Sequence, residues 1–331
     1  MTRIGLVLGG GGIVGMAYHG AVLAGLQDAT GWDARDAAIV VGTSAGAASG
    51  AELRAGITPH DMAARRAATR FSADGERRLR RLGPPPQDPP RTVRVDEDRA
   101  RAAFRRLLWQ AALWPGSVRP GVLVSVAMSP GTLSAGWLTR QSEWLNGGHD
   151  WPERPFWPCA VDLDTGQRVV FGRAGAPAAT PGEAVAASCA IPGVNAPVEI
   201  GGGVYIDGGG YSPTNADVLC GEHLDLVVVV APMSAVPGAA RDRRDAALRD
   251  ACRTILLAEV ATLRRRGTAV AVVEPDAADV RAMGHIVGID VLDEARCATV
   301  VQRVRASTAR RARAGSLPGL ELLSGALDEA A

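Results

Sequence analysis

Short apolar runs alternate with longer helix-like stretches along the first part of the chain. Residues 4–8 (IGLVL) and 38–41 (AIVV) are rich in β-formers, and each leads through glycine into an apolar, helix-like segment. That strand, loop, helix rhythm predicts an α/β fold, a parallel sheet covered by helices. Residues 52–82 read as helical and strongly basic, and GPPPQDPP at 83–90 is neither helix nor central strand. Further on, CAVDLDTGQRVVF at 159–171 predicts two strands around an Asp-Thr-Gly turn. PGEAVAASCAIPG reads as a helix closed by Pro192, VEIGGGVYIDGGG as a hairpin and LDLVVVVAP as a fully buried strand. A helix over 239–266, a strand over 268–273 and a last helix over 290–313 complete the pattern, and 314–331 reads as a flexible tail.

Composition adds bounds. With 331 residues, 47% of them apolar, the chain can bury the core of one large domain or two modest ones. A net charge of +1 gives no whole-molecule reason to expect nucleic acid, although all 36 basic residues are Arg. The N-terminal apolar run is too short and glycine-rich for a signal peptide, and no stretch approaches the roughly 18 apolar residues of a membrane span, so the expected location is cytoplasmic. Five cysteines without a C-x-x-C pair read as small buried residues, and no metal site is expected.

The chemistry begins at residues 9–12, four consecutive glycines after the first strand. Gly10, Gly12 and Gly15 satisfy G-x-G-x-x-G, the spacing of a dinucleotide cradle. A Rossmann unit also needs an acid closing the second strand, to hold the ribose hydroxyls. Here that strand ends in Gly42-Thr43-Ser44-Ala45-Gly46, a G-x-S-x-G sequence at a strand-to-helix junction. Small residues there permit the sharp turn of a nucleophile elbow, and the helix that follows aims its N–H groups at developing negative charge. Neighbouring parallel strands bring their C-terminal ends together, so the glycine loop reads as an oxyanion hole for Ser44. Ser134, in GTLSAG, follows Pro130 rather than a strand and reads as a helix cap.

The serine needs a base, and two candidates stay open. His223 would complete a Ser44, Asp207, His223 triad of the α/β-hydrolase type. His19 reads as packed or capping. Alternatively Asp207, ending a strand and followed by Gly208-Gly209-Gly210, acts directly as base if its pocket is dry enough to raise its basicity. A third reading is a catalytically weak phosphate- or nucleotide-binding scaffold.

Three ordered blocks carry a resemblance. Gly10-Gly11-Gly12-Ile13-Val14-Gly15, Gly42-Thr43-Ser44-Ala45-Gly46 and Asp207-Gly208-Gly209, with AVDLDTGQRVVF and AVAASCAIPGVNAPVEI between them, make the chain similar to the bacterial patatin-like phospholipases. The resemblance implies a patatin-like α/β fold, a central mostly parallel sheet flanked by helices with a helical insertion. It implies lipid acyl-ester hydrolysis by a Ser44–Asp207 dyad without cofactor or metal, on a phospholipid or lysophospholipid type of substrate. Gly10, Gly11 and Gly12 would bind the oxyanion, with Gly15, Gly42, Gly46, Gly208 and Gly209 supporting the motifs. Position 14 departs from the pattern, being Val where the family carries Arg or Lys. The implied organisation is a hydrolase domain over 1–275, a helical extension over 276–313 and the tail. Within the first, 65–157 is the least family-like part. Thirteen Arg face six acidic residues across 65–106, and six of the seven Trp lie between 109 and 157. Two readings stand for it. One is a cap that touches a membrane surface, Trp meeting acyl chains and Arg meeting lipid phosphates. The other is a solvated Arg face over a local Trp core.

Overall fold

The computed structural model describes residues 2–87, 91–286 and 288–323. One sheet organises them. Its strands are β1 (Ile4–Leu8), β2 (Ile39–Thr43), β3 (Phe156–Asp162), β4 (Arg168–Val170), β5 (Val198–Ile200), β6 (Gly203–Asp207), β7 (Leu226–Val230) and β8 (Ala269–Val273). The order is β5-β6-β3-β2-β1-β7-β8, with β4 paired to β3. The five strands β3, β2, β1, β7 and β8 run parallel, whereas β6 is antiparallel to β3 and β5 to β6.

Helices follow as α1 (Gly12–Thr30), α2 (Ala45–Arg54), α3 (Pro59–Arg66), α4 (Ala73–Leu82), α5 (Glu97–Leu113), α6 (Pro120–Ala127) and α7 (Gly136–Asn146). After β4 come α8 (Pro181–Ser188), α9 (Arg243–Arg265), α10 (Ala277–Met283) and α11 (Cys297–Arg313). The period-2 alternation of the strands sorts the two faces of the sheet. Leu6 and Leu8 join Val22, Leu26, Val300 and Val304 of α1 and α11 in one core. Val7, Val41, Val227 and Val229 meet Leu256, Val260 and Leu263 of α9 in the other. Both faces are covered, which is why the central strands read as continuous apolar runs.

The boundaries differ from expectation where capping decides them. Residues 52–82 are helical as expected, in three pieces. Gly56, at φ +81°, closes α2, and the side chains of Thr58 and Ser72 cap the fresh starts of α3 and α4. The last helix begins at Cys297, after the 3₁₀ turns Gly288–Leu292 and Glu294–Arg296. Residues 314–323, expected as the start of a flexible tail, bury Leu317, Leu320 and Leu323 in the α1 and α11 core. Residues 324–331 of that tail, and 88–90 of the proline-rich loop, lie outside the described residues.

Candidate active site

Sheet register brings the three sequence blocks into one row. Leu8 pairs with Gly42, Thr43 with Cys159 and Ala160 with Asp207. The glycine loop after β1, the serine after β2 and the aspartate ending β6 therefore emerge at the same edge of the sheet, although up to 200 residues separate them in sequence.

Ser44 sits at φ 54° and ψ −120°, a left-handed backbone conformation that an L-residue adopts only when its surroundings enforce it, at a cost of order 1–3 kcal/mol. Two contacts enforce it. A side chain at Gly46 would collide with the Leu8 carbonyl, so only glycine lets α2 start this close to β1. The Ser44 N–H is donated to Ser188 Oγ at 2.9 Å, and that hydroxyl donates onward to the Cys159 carbonyl at 2.6 Å. The last residue of α8 thereby fixes the elbow to β3.

Asp207 is nearly as buried as Ser44, each retaining 6% exposure. Burial pushes its carboxyl up to about 6, opposed by the neighbouring Ser44 hydroxyl and by the Gly209 N–H. The Gly209 bond is 2.7 Å, to Oδ1, and Gly208 opens the short 3₁₀ turn that makes it possible. A carboxylate held in so dry a site has the elevated basicity that general-base chemistry needs at neutral pH.

The glycine loop borders Ser44 and the start of α2. A Cβ placed on Gly10 would stand 3.7 Å from the Ser44 Cβ, and one on Gly15 would stand 3.6 Å from the Ala45 Cβ. Gly10, however, donates its own N–H to the Pro213 carbonyl at 2.8 Å, so among the three expected oxyanion donors it is already engaged. Gly11 and Gly12 open α1, whose first amides lack intrahelical acceptors. Gly12 holds φ +64° directly under the Val291 carbonyl, leaving no room for a side chain. Neither α1 nor α2 has a side-chain cap or an acid in its first turn, so both present uncompensated positive ends at this edge. Val14 is buried in the core. It shares the lining of a small void with Gly11 and with Arg249 of α9, whose guanidinium is held by Asp245 and by the Pro232, Ser234 and Gly284 carbonyls.

A second buried network stabilises the loop after Asp207. Asn215, itself left-handed at φ 54°, donates Nδ2 to Thr43 Oγ1 at 3.0 Å and to the Ser212 carbonyl at 2.7 Å. Glu259 of α9 accepts from Thr214 Oγ1 and the Ala216 N–H, and Arg168 of β4 pairs with Asp217. The sequence reading passed over Ser188, Asn215 and Glu259. Ser188 and Asn215 lay in view, inside AVAASCAIPG and just beyond the D-G-G block, but Glu259 had no local signal.

The histidines fall elsewhere. His223 precedes β7, and its carbonyl accepts from Arg3, just before β1. It therefore lies at the far edge of the sheet from Ser44, a strand length or about 16 Å away, which removes the His223 triad. His19 is buried against Ser49 Oγ at 3.0 Å, and burial pushes its imidazole down to about 3. Cys189 lies close enough to Asp207 to feel its charge, which together with burial holds the thiol well above its ordinary range and unreactive. Ser134 accepts the Gly136 N–H in the turn before α7, whose capping residue is Ala135 rather than the serine. Among the described residues no group of three or more His, Cys, Asp or Glu side chains could hold a metal ion, and no helix is long and apolar enough to cross a membrane.

Comparison with known proteins adds a family. A family model described as Patatin-like phospholipase matches residues 6–219, from β1 through the D-G-G loop. Comparison with curated proteins gives no match. Two similar solved structures are of human GIVD cytosolic phospholipase A2 in complex with methyl gamma-linolenyl fluorophosphonate, one also with terbium chloride. The latter is 14% identical over 98% of this chain and 59% of that one, with a TM-score of 0.39. The former is 13% identical over 98% and 60%, with a TM-score of 0.38. The chain thus spans less than two thirds of the length of these neighbours.

Proposed function

The chain belongs to the patatin-like phospholipase family, and from that premise we propose that it is a serine acyl-ester hydrolase acting on lipid esters of the phospholipid or lysophospholipid type through a Ser44–Asp207 dyad. The observation that carries the reading is Ser44 in its enforced left-handed turn, in the same row of strand ends as Asp207, a buried carboxylate whose pKa is raised to about 6.

Ser44 Oγ attacks the ester carbonyl while Asp207 takes the hydroxyl proton. The resulting oxyanion lies at the uncapped starts of α1 and α2, where the N–H groups of Gly11 and Gly12 donate to it. One such donor is worth about 2.7–4 kcal/mol in the transition state. Asp207 passes its proton to the leaving alcohol, and the acyl group remains on Ser44. Water then attacks the acyl-serine, Asp207 accepts its proton, and that proton returns to Ser44 Oγ as the fatty acid departs. No step calls on a cofactor. Gly10 orders the loop through Pro213 rather than joining the oxyanion hole. The substrate is met at a membrane surface through part of the 65–157 segment.

Turnover of phospholipid and lysophospholipid by wild type, Asp207→Asn and His223→Ala tests the reading. Hydrolysis that falls by a factor of about 10²–10⁴ in Asp207→Asn, the scale of a lost general base, and survives in His223→Ala supports it. Unchanged turnover in Asp207→Asn would overturn it.

A further inference from the structure

Eleven large apolar side chains stand exposed among the described residues, and eight of them fall within 93–133. On α5 and the turn that follows it, Leu108, Trp109, Leu113 and Trp114 are 50–69% exposed, and Val124 on α6 and Met128 just after it are 64% and 49% exposed. The same helices already bury a separate apolar face, Ala103 and Leu107 with Val122 and Val126, against Val161, Val204 and Ile206 of the sheet. The outward residues are therefore not needed for folding this layer, and exposed apolar patches of this kind mark interaction sites. Charge selects the partner: residues 91–133 contain seven Arg against three acids. Indole rings flanked by guanidinium groups match the boundary of an anionic bilayer, where the rings settle at headgroup depth and the cations meet phosphates.

The patch is tied to the candidate active site. Gly121 of α6 lies so close to the Gly210 carbonyl that a Cβ there would approach it to 2.5 Å, and Ser125 Oγ touches the same glycine. The Arg119 guanidinium stacks on Tyr211 at 5.0 Å. The helix that exposes Val124, with Met128 just after it, thus rides directly on the loop following Asp207.

Elsewhere in 65–157 the tryptophans are packed, while arginines are paired there as they are on α5, where Arg99 and Arg106 meet Asp164 and Arg101 meets Glu97 and Asp98. Trp144 and Trp151 donate their indole N–H groups to the Leu82 and Ala179 carbonyls, and Trp157 is buried. Arg65 and Arg66 pair with Glu52, Arg70 and Arg80 with Glu76, and Arg77 with Asp74. These are packed or paired groups, as a local core and a solvated face would require.

We propose that the outer face of α5 and α6, centred on Trp109 and Trp114, is a docking surface for anionic bilayers that seats the Asp207 loop at the lipid interface. The proposal deepens the lipid-ester reading of the same site, but it concerns binding, which flotation reads; turnover serves only as the control for folding.

The test is flotation of wild type and the double variant Trp109→Ala/Trp114→Ala with vesicles of phosphatidylcholine alone or mixed with phosphatidylglycerol, alongside hydrolysis of a soluble short-chain ester. Wild type should float with the mixed vesicles, release with added salt and show a blue shift in tryptophan emission. The double variant should bind on the order of tenfold more weakly, with soluble-ester turnover unchanged, which also shows that it folds. Equal flotation of the two proteins would overturn the proposal, as would equal binding to both vesicle types. Self-association that disappears in the double variant while vesicle binding persists would assign the face to a second copy of the chain instead. Failure of the dyad reading would appear as unchanged turnover in Asp207→Asn with flotation intact, so the two failures are distinguishable.

Discussion

Burial of Asp207 links activity to stability with opposite signs. The gap between about 6 and the solvated value of 3.8 is equivalent to about 3 kcal/mol favouring the neutral form at 1.36 kcal/mol per pKa unit. A raised carboxyl pKa means that the folded protein holds a proton the unfolded chain has released. Stability therefore falls as pH rises from about 4 to about 6, and the full penalty stands above that window. Activity runs the other way, because the base works only when ionised: kcat/KM on a soluble ester should rise through an apparent pKa of about 6 and level off. Asp207→Asn keeps an acceptor for the Gly209 N–H but never ionises. In urea unfolding at pH 8 it should be more stable than wild type by up to about 3 kcal/mol, the linkage limit, while nearly inactive. At pH 4, where the wild-type carboxyl is neutral when folded, that advantage should vanish. An acid limb near 4, or an equal stability gain at both pH values, would refute the reasoning.

Three further substitutions probe the scaffold. Ser188→Ala leaves the Ser44 N–H and the Cys159 carbonyl without their bridge, each buried group costing about 1–3 kcal/mol; kcat on a soluble ester should drop at least tenfold with KM near wild type. Gly46→Ala drives a methyl into the Leu8 carbonyl, so overpacking of about 1–3 kcal/mol should appear as a lower Tm together with lost turnover. Asn215→Ala removes the Nδ2 bonds to Thr43 and Ser212 and leaves alanine in a left-handed conformation, which should cost about 2–4 kcal/mol in urea unfolding.

The sequence displayed what depends on local backbone demands. Gly42 and Gly46 around Ser44, the glycines after β1 and the D-G-G after β6 each answer a nearby steric requirement, so each marked a tight turn or close approach, while only their order together pointed to one chemistry. The parallel centre of the sheet was equally visible, because strands buried on both faces must be apolar throughout. What stayed hidden depends on register between distant elements. No local pattern says that Pro213 will take the Gly10 N–H or that Ser188 will receive the Ser44 N–H from 144 residues away. Nor does one say that Glu259, on a helix of the opposite layer, will hold the loop at 214–216. The basic stretch 52–82 read as helical because charge and propensity run on unbroken, and the breaks that Gly56, Thr58 and Ser72 impose within it were not placed. Leu317, Leu320 and Leu323 escaped notice because three isolated leucines in a polar segment gain meaning only when α11 sets them against the core.

The central claim is that Ser44, activated by Asp207 and by no histidine, is the nucleophile, and intact-mass measurement of fluorophosphonate labelling tests it most directly. Wild type and His223→Ala should each take up a single phosphonyl adduct at matching rates, Asp207→Asn should label far more slowly, and Ser44→Ala should not label. An adduct on Ser44→Ala, or labelling that fails in His223→Ala while persisting at the wild-type rate in Asp207→Asn, would contradict the account.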